Sequence, residues 1–100
     1  MNNNINIFLD KNSMIHISGY VSLYNCMYLK KKCYDHIKKL NSISINLKDL
    51  RSDDSSIILL ILNLIKISQP KKIIFFNISY SIKKILKSYK IDNIFSKYFE

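Results

Sequence analysis

The residues whose types could do chemistry gather in one stretch, "DLRSDDSSIILL", residues 49–60. Three acids and three serines fall between Asp49 and Ser56, and nine of the eleven residues from Ile57 to Ile67 are Ile or Leu. A carboxylate just ahead of an apolar helix accepts otherwise unpartnered amide hydrogens and sits at the positive end of the dipole. Asp53 or Asp54 is therefore expected to be the N-cap of a helix beginning near Ser55. Capping needs neither Ser55 nor Ser56, and a hydroxyl in a first turn projects toward solvent or a partner. A phosphoryl group on it would meet free amides and the dipole, but also the adjacent carboxylates, which would make a charge-sensitive docking switch. Catalysis finds less support. The Asp53/Asp54 pair lacks a positioned second group, no His neighbours the serines, and there is no Gly-rich phosphate loop.

The other reactive side chains are scattered. Cys26 and Cys33 share one face of a helical segment, about 10 Å apart along its axis, too far for a disulfide. Their Cys-x6-Cys spacing does not suit zinc, and His16 and His36 fall in different elements. Both cysteines are expected to be small buried thiols. No metal or cofactor is implied.

One hundred residues, 48% of them apolar, with one Gly and one Pro, suit a single globular domain. The net charge of +9 raises nucleic acid as a partner, but of sixteen basic residues only Arg51 is an arginine. Phosphate and base readers lean on the bidentate guanidinium, and the lysines are dispersed. The joint abundance of Ile, Lys, Asn, Ser, Tyr and Phe matches what AT-rich coding produces. No specific nucleic-acid partner is expected; attraction to an anionic membrane surface is a secondary consequence. "MNNNINIFLD" lacks a basic export region, and the run 57–67 is interrupted by Asn63 and Lys66, short of the ~20 residues of a spanning helix. A cytoplasmic protein is expected.

Elements that would position the acidic serine stretch follow from periodicity. Residues 4–9 and 13–18 alternate and are β-branched, a hairpin around "DKN", with Gly19 closing the second strand. Residues 22–40 repeat apolar positions every three to four, an amphipathic helix flanked by Tyr24, Tyr28 and Tyr34 at the rim of the core. Residues 42–47 form a strand, 57–67 a buried helix, 71–78 a short strand, 79–90 a third amphipathic helix, and 91–99 a docking tail. The order β-β-α-β-α-β-α predicts an α/β domain with a mixed, mostly parallel four-stranded sheet. The loop after the third strand then lies at the carboxyl edge, where open α/β sheets place their sites.

Residues 45–57 resemble the signature of STAS domains (sulfate transporter and anti-sigma factor antagonist): Ile45-Asn-Leu47, Leu50, Asp54-Ser55, then a leucine-rich helix. "MIHISGYVS" at 14–22 is similar to the family's second strand and its Gly. "KKIIFFNISYSIKKILKSYKIDNIF" is similar to its last strand, last helix and closing segment. The family's small residue two places after its Ser or Thr falls on Ile57. Among bare STAS domains, residues 84–91 and the Leu/Ile helix resemble the MlaB-like subunit of the phospholipid-trafficking, lipid-asymmetry ABC transporter; anti-sigma factor antagonists are next. The resemblance implies a non-catalytic subunit that binds the ATPase of a complex with a membrane permease, at the inner membrane's cytoplasmic face. It places Ser55 at the contact or as phosphoacceptor, with Asp54, Ser56 and Asp53 around it.

Overall fold

Alternation of buried and half-buried residues along three strands sets the architecture. Ile15, Ile17, Ile43, Ile45, Ile73 and Phe75 are buried, while the intervening Met14, His16, Ser18, Ser44, Asn46, Ile74 and Phe76 are half-buried. One face of the sheet is thus sealed by helices and the other is partly open. The computed structural model describes residues 5–100, so the expected strand start at Asn4 lies outside the described residues.

The chain runs β1 (Asn6–Leu9), β2 (Met14–Tyr20), α1 (Cys26–Ile37), β3 (Ile43–Asn46), β4 (Leu50–Arg51), α2 (Ser56–Ser68), β5 (Ile73–Phe76), α3 (Tyr80–Ser88) and α4 (Asp92–Phe95), then a 3-10 turn at Ser96–Tyr98. The four expected strands line up as β1-β2-β3-β5, with β1 antiparallel to β2 and the other pairs parallel. A fifth, two-residue strand joins them: β4 runs parallel to β2, pairing Leu50 with Gly19 and Arg51 with Tyr20. Gly19 therefore lies inside β2 rather than closing it. Its φ of 119° belongs to the region glycine occupies most readily.

α2 is the helix the apolar run predicts, with Ile57, Leu60, Ile61, Leu64 and Ile65 buried. Each such side chain removed from water contributes about 1.5–3 kcal/mol before entropy is counted. α1 packs against it through Cys26, Leu29, Cys33 and Ile37. Both cysteines are free and buried, and burial pushes the Cys33 thiol up to about 12. α1 starts at Cys26 rather than Ser22, and Tyr24, Tyr28 and Tyr34 stand exposed rather than at the core rim. α3 is capped by Ser79, whose hydroxyl accepts the Ile82 amide at 3.2 Å. The tail docks as expected. Phe95 is buried, Phe99 bridges to Phe75, and the Glu100 amide donates to the Phe75 carbonyl at 2.9 Å.

Candidate functional site

Because β2, β3, β4 and β5 run parallel, their carboxyl ends gather on one edge. Two loops stand side by side there: residues 21–25, leading into α1, and residues 52–55, leading into α2. β4 holds the second beside the first, since the Val21 amide donates to the Arg51 carbonyl at 2.8 Å and the Gly19 amide to that of Asp49 at 3.1 Å.

Asp54 is the acid that serves the start of α2. Its Oδ1 accepts the Ser56 amide at 2.9 Å and the Ser56 hydroxyl at 2.5 Å. The hydroxyl bond first, then the amide, hold the Asp54 carboxyl below its ordinary value. The N-cap position itself belongs to Ser55, one residue later than expected for an acid, and its carbonyl accepts the Ile58 amide at 3.0 Å. Asp53 points elsewhere: its carboxylate accepts the Tyr20 phenol, a bond that pushes the phenol's pKa up.

The two serines, adjacent in sequence, part company in space. Ser55 is exposed, and its hydroxyl enters no hydrogen bond among the described residues. Ser56, expected to project beside it, is instead only 5% exposed. Its hydroxyl lies 2.5 Å from Asp54 Oδ1 and 3.3 Å from the Val21 carbonyl, and its own carbonyl accepts the Cys26 thiol at 3.2 Å. The reason is helical geometry. Ser56 begins the row Ser56, Leu60, Leu64, Ser68, every member of which is buried. Ile57 is 0% exposed, so its branched side chain faces the core, away from the surface that Ser55 presents.

Several residues of this edge escape a reading of the sequence. Ser52, buried, places its hydroxyl 3.2 Å from the Asp54 carbonyl and 3.4 Å from that of Val21. Asn25 clamps the neighbouring loop: its Oδ1 accepts the Ser22 amide at 2.9 Å and its Nδ2 donates to the Tyr20 carbonyl at 2.8 Å. With its backbone fixed, that loop leaves Leu23 68% and Tyr24 96% exposed. The one available signal was the absence of helical periodicity across "VSLYN".

The arrangement fixes a backbone and presents one hydroxyl beside two carboxylates and a small apolar surface. Asp54 is committed to Ser56 and Asp53 to Tyr20, so neither is held as a base on Ser55. Among the described residues no group of three His, Cys, Asp or Glu side chains is placed to hold a metal ion. His16 lies away from this edge, bonded to Asp10 at 2.8 Å and stacked on Phe8. Among the described residues no helix is long and apolar enough to cross a membrane.

A model of the STAS domain matches residues 5–100. No curated protein sequence matches the chain. Among solved structures, the anti-sigma factor antagonist SpoIIAA in its unphosphorylated form superposes with a TM-score of 0.69 at 16% identity, over 96% of this chain and 85% of that one. SpoIIAA of Bacillus in its phosphorylated form gives 0.64 at 16% identity, over 96% and 88%. An anti-sigma-factor antagonist (STAS) domain protein from Planctomyces limnophilus gives 0.64 at 15%, over 90% and 84%. At these identities the likeness is one of fold.

Proposed function

We propose, from the premise that the chain belongs to the STAS-domain family, that it is a non-enzymatic accessory subunit of a phospholipid-trafficking ABC transporter. In this reading it docks on the cytoplasmic ATPase subunit, within a complex that includes the membrane permease, and supports its assembly and activity. The observation that carries the reading is the division of labour at the start of α2. Asp54 and Ser56 satisfy one another, which leaves the Ser55 hydroxyl exposed at the positive end of a 13-residue helix. Exposed Leu23 and Tyr24 belong to the neighbouring loop and add apolar area for a protein partner. The choice of a transporter partner rests on the resemblance of residues 84–91 and of the Leu/Ile helix to that subunit.

Binding of a coexpressed ATPase subunit by wild type, Ser55→Ala and Ser55→Glu tests it. Loss of a few-fold with Ala and of at least tenfold with Glu is expected, because a third carboxylate beside Asp53 and Asp54 repels an acidic or close-fitting partner. Equal binding by all three would remove the site.

A second reading, an anti-sigma factor antagonist switched by phosphorylation of Ser55, is favoured by the same free hydroxyl and by the fold it shares with SpoIIAA. Intact-mass measurement after coexpression with a Ser/Thr kinase separates the two. A single added phosphate that disappears in Ser55→Ala supports the switch, and a persistently unmodified chain removes it.

A further inference from the structure

The flank built by α3 and α4 has a different chemistry from the carboxyl edge. α3 turns Ile82 and Leu86 into the core. Tyr80, Lys83, Lys84 and Lys87 follow at i, i+3, i+4 and i+7, the spacing of a single stripe, and all four are exposed. They line a groove of about 460 Å³ together with Leu86 and Phe99 and with Asp92 and Asn93 of α4. Three ammonium groups thus meet one carboxylate. None of these four charges joins an ion pair; among the described residues the ion pairs are His16 with Asp10 and Lys38 with Asp35. The Lys84 ammonium stands 5.7 Å from the Tyr80 ring centroid, and Tyr80 is 76% exposed.

We propose that this flank is a docking surface for an anionic phospholipid bilayer. Lysines near an anionic leaflet each strengthen attachment by about fivefold, and they need no fixed geometry to do so. A tyrosine among them is the side chain that settles at headgroup depth, with an apolar ring and a wet hydroxyl. Nucleic acid is the poorer match, because the stripe carries no Arg fork for phosphate or base edges. On α1 only Lys30 and Lys31 share such a row, lining a groove with Met27 and Tyr34, while Lys32 stands over Tyr28 instead, so two ammonium groups meet there rather than three. The inference uses a different surface from Ser55 and does not rest on the transporter reading.

Flotation of the full chain with vesicles of phosphatidylcholine, with and without phosphatidylglycerol, tests it. Binding is expected only to the anionic vesicles and should fall steeply with added salt. The triple change Lys83→Ala, Lys84→Ala, Lys87→Ala should lower the partition coefficient on the order of a hundredfold. The charge-matched change of Lys30, Lys31 and Lys32 to Ala should lower it much less, and Tyr80→Ser several-fold. Equal losses from the two triple variants, salt-independent binding, or wild-type preference for duplex DNA over anionic vesicles at the same salt would each overturn the proposal. The salt titration of the wild type needs no variant to fold.

Discussion

Residues 21–25 and 52–55 lie side by side at the same sheet edge, yet they leave side chains of opposite chemistry exposed. The first turns a polar group inward, Asn25, and leaves Leu23 and Tyr24 in solvent. The second turns the Ser52 hydroxyl inward, as α2 does that of Ser56 next to it, and leaves Asp53, Asp54 and Ser55 outside. In both, short polar side chains bonded to backbone carbonyls and amides fix the loop, which leaves Leu23, Tyr24 and the Ser55 hydroxyl without structural duty. The edge thus presents an apolar half and an acidic, hydroxyl-bearing half, set by one shared framework.

The most severe way to break the contrast is to hollow the core beneath the first turn of α2. Ile57→Ala should cost about 2–5 kcal/mol, because a cavity opens under the first turn of α2, and a urea melt reads it directly. The contrast sharpens when the two serines are compared. Ser56→Ala leaves the buried Val21 carbonyl and the Asp54 carboxylate short of a donor, a loss of about 1–2 kcal/mol. Ser55→Ala should stay within about 0.5 kcal/mol by the same melt, since the hydroxyl is exposed and holds nothing.

A smaller effect follows from pH. The Asp54 carboxyl titrates lower in the folded chain than in the unfolded one. Its stabilising contribution is therefore present above about pH 4 and is lost as the pH falls through the lowered value. Asp10, bonded to His16 and to the Met14 amide, acts in the same direction at the hairpin. The acid limb of a melting-temperature profile should flatten in Asp54→Asn and flatten further when Asp10→Asn is added. An unchanged limb would show that the bonds to Asp54 persist on protonation. Least of all, Tyr24→Ser should leave the urea midpoint unmoved while weakening partner binding several-fold, the mirror image of Ser56→Ala.

How far the sequence foretells this depends on the kind of signal. The sheet order and α2 are carried by periodicity, a property of many residues at once, and they form as that pattern dictates. β4 leaves no such trace, because two residues cannot alternate; it exists through backbone bonds to Gly19 and Val21 that only the tertiary arrangement supplies. The start of α1 slips from Ser22 to Cys26, residues 22–25 forming a separate turn in which the Ser22 carbonyl accepts the Asn25 and Cys26 amides and the Asn25 side chain accepts the Ser22 amide. At the candidate site, Asp54 is legible as a start signal, while its choice of Ser56 is not. The burial of Ser56 was available in principle: it stands four residues before Leu60 on the same row as Leu64. Its small polar side chain gives that row no hydrophobic marker at its first position.

The closing segment carries a consequence of its own. A sheet that ends in an unpaired strand offers a template on which a second molecule can polymerise. Here Phe99 and Glu100 lie along β5 and occupy part of that margin, with the Phe99 ring edge-on to Phe75 at 5.9 Å. Phe99 and Glu100 act as a selvedge, leaving less of the protein's most aromatic strand open to pairing with another chain.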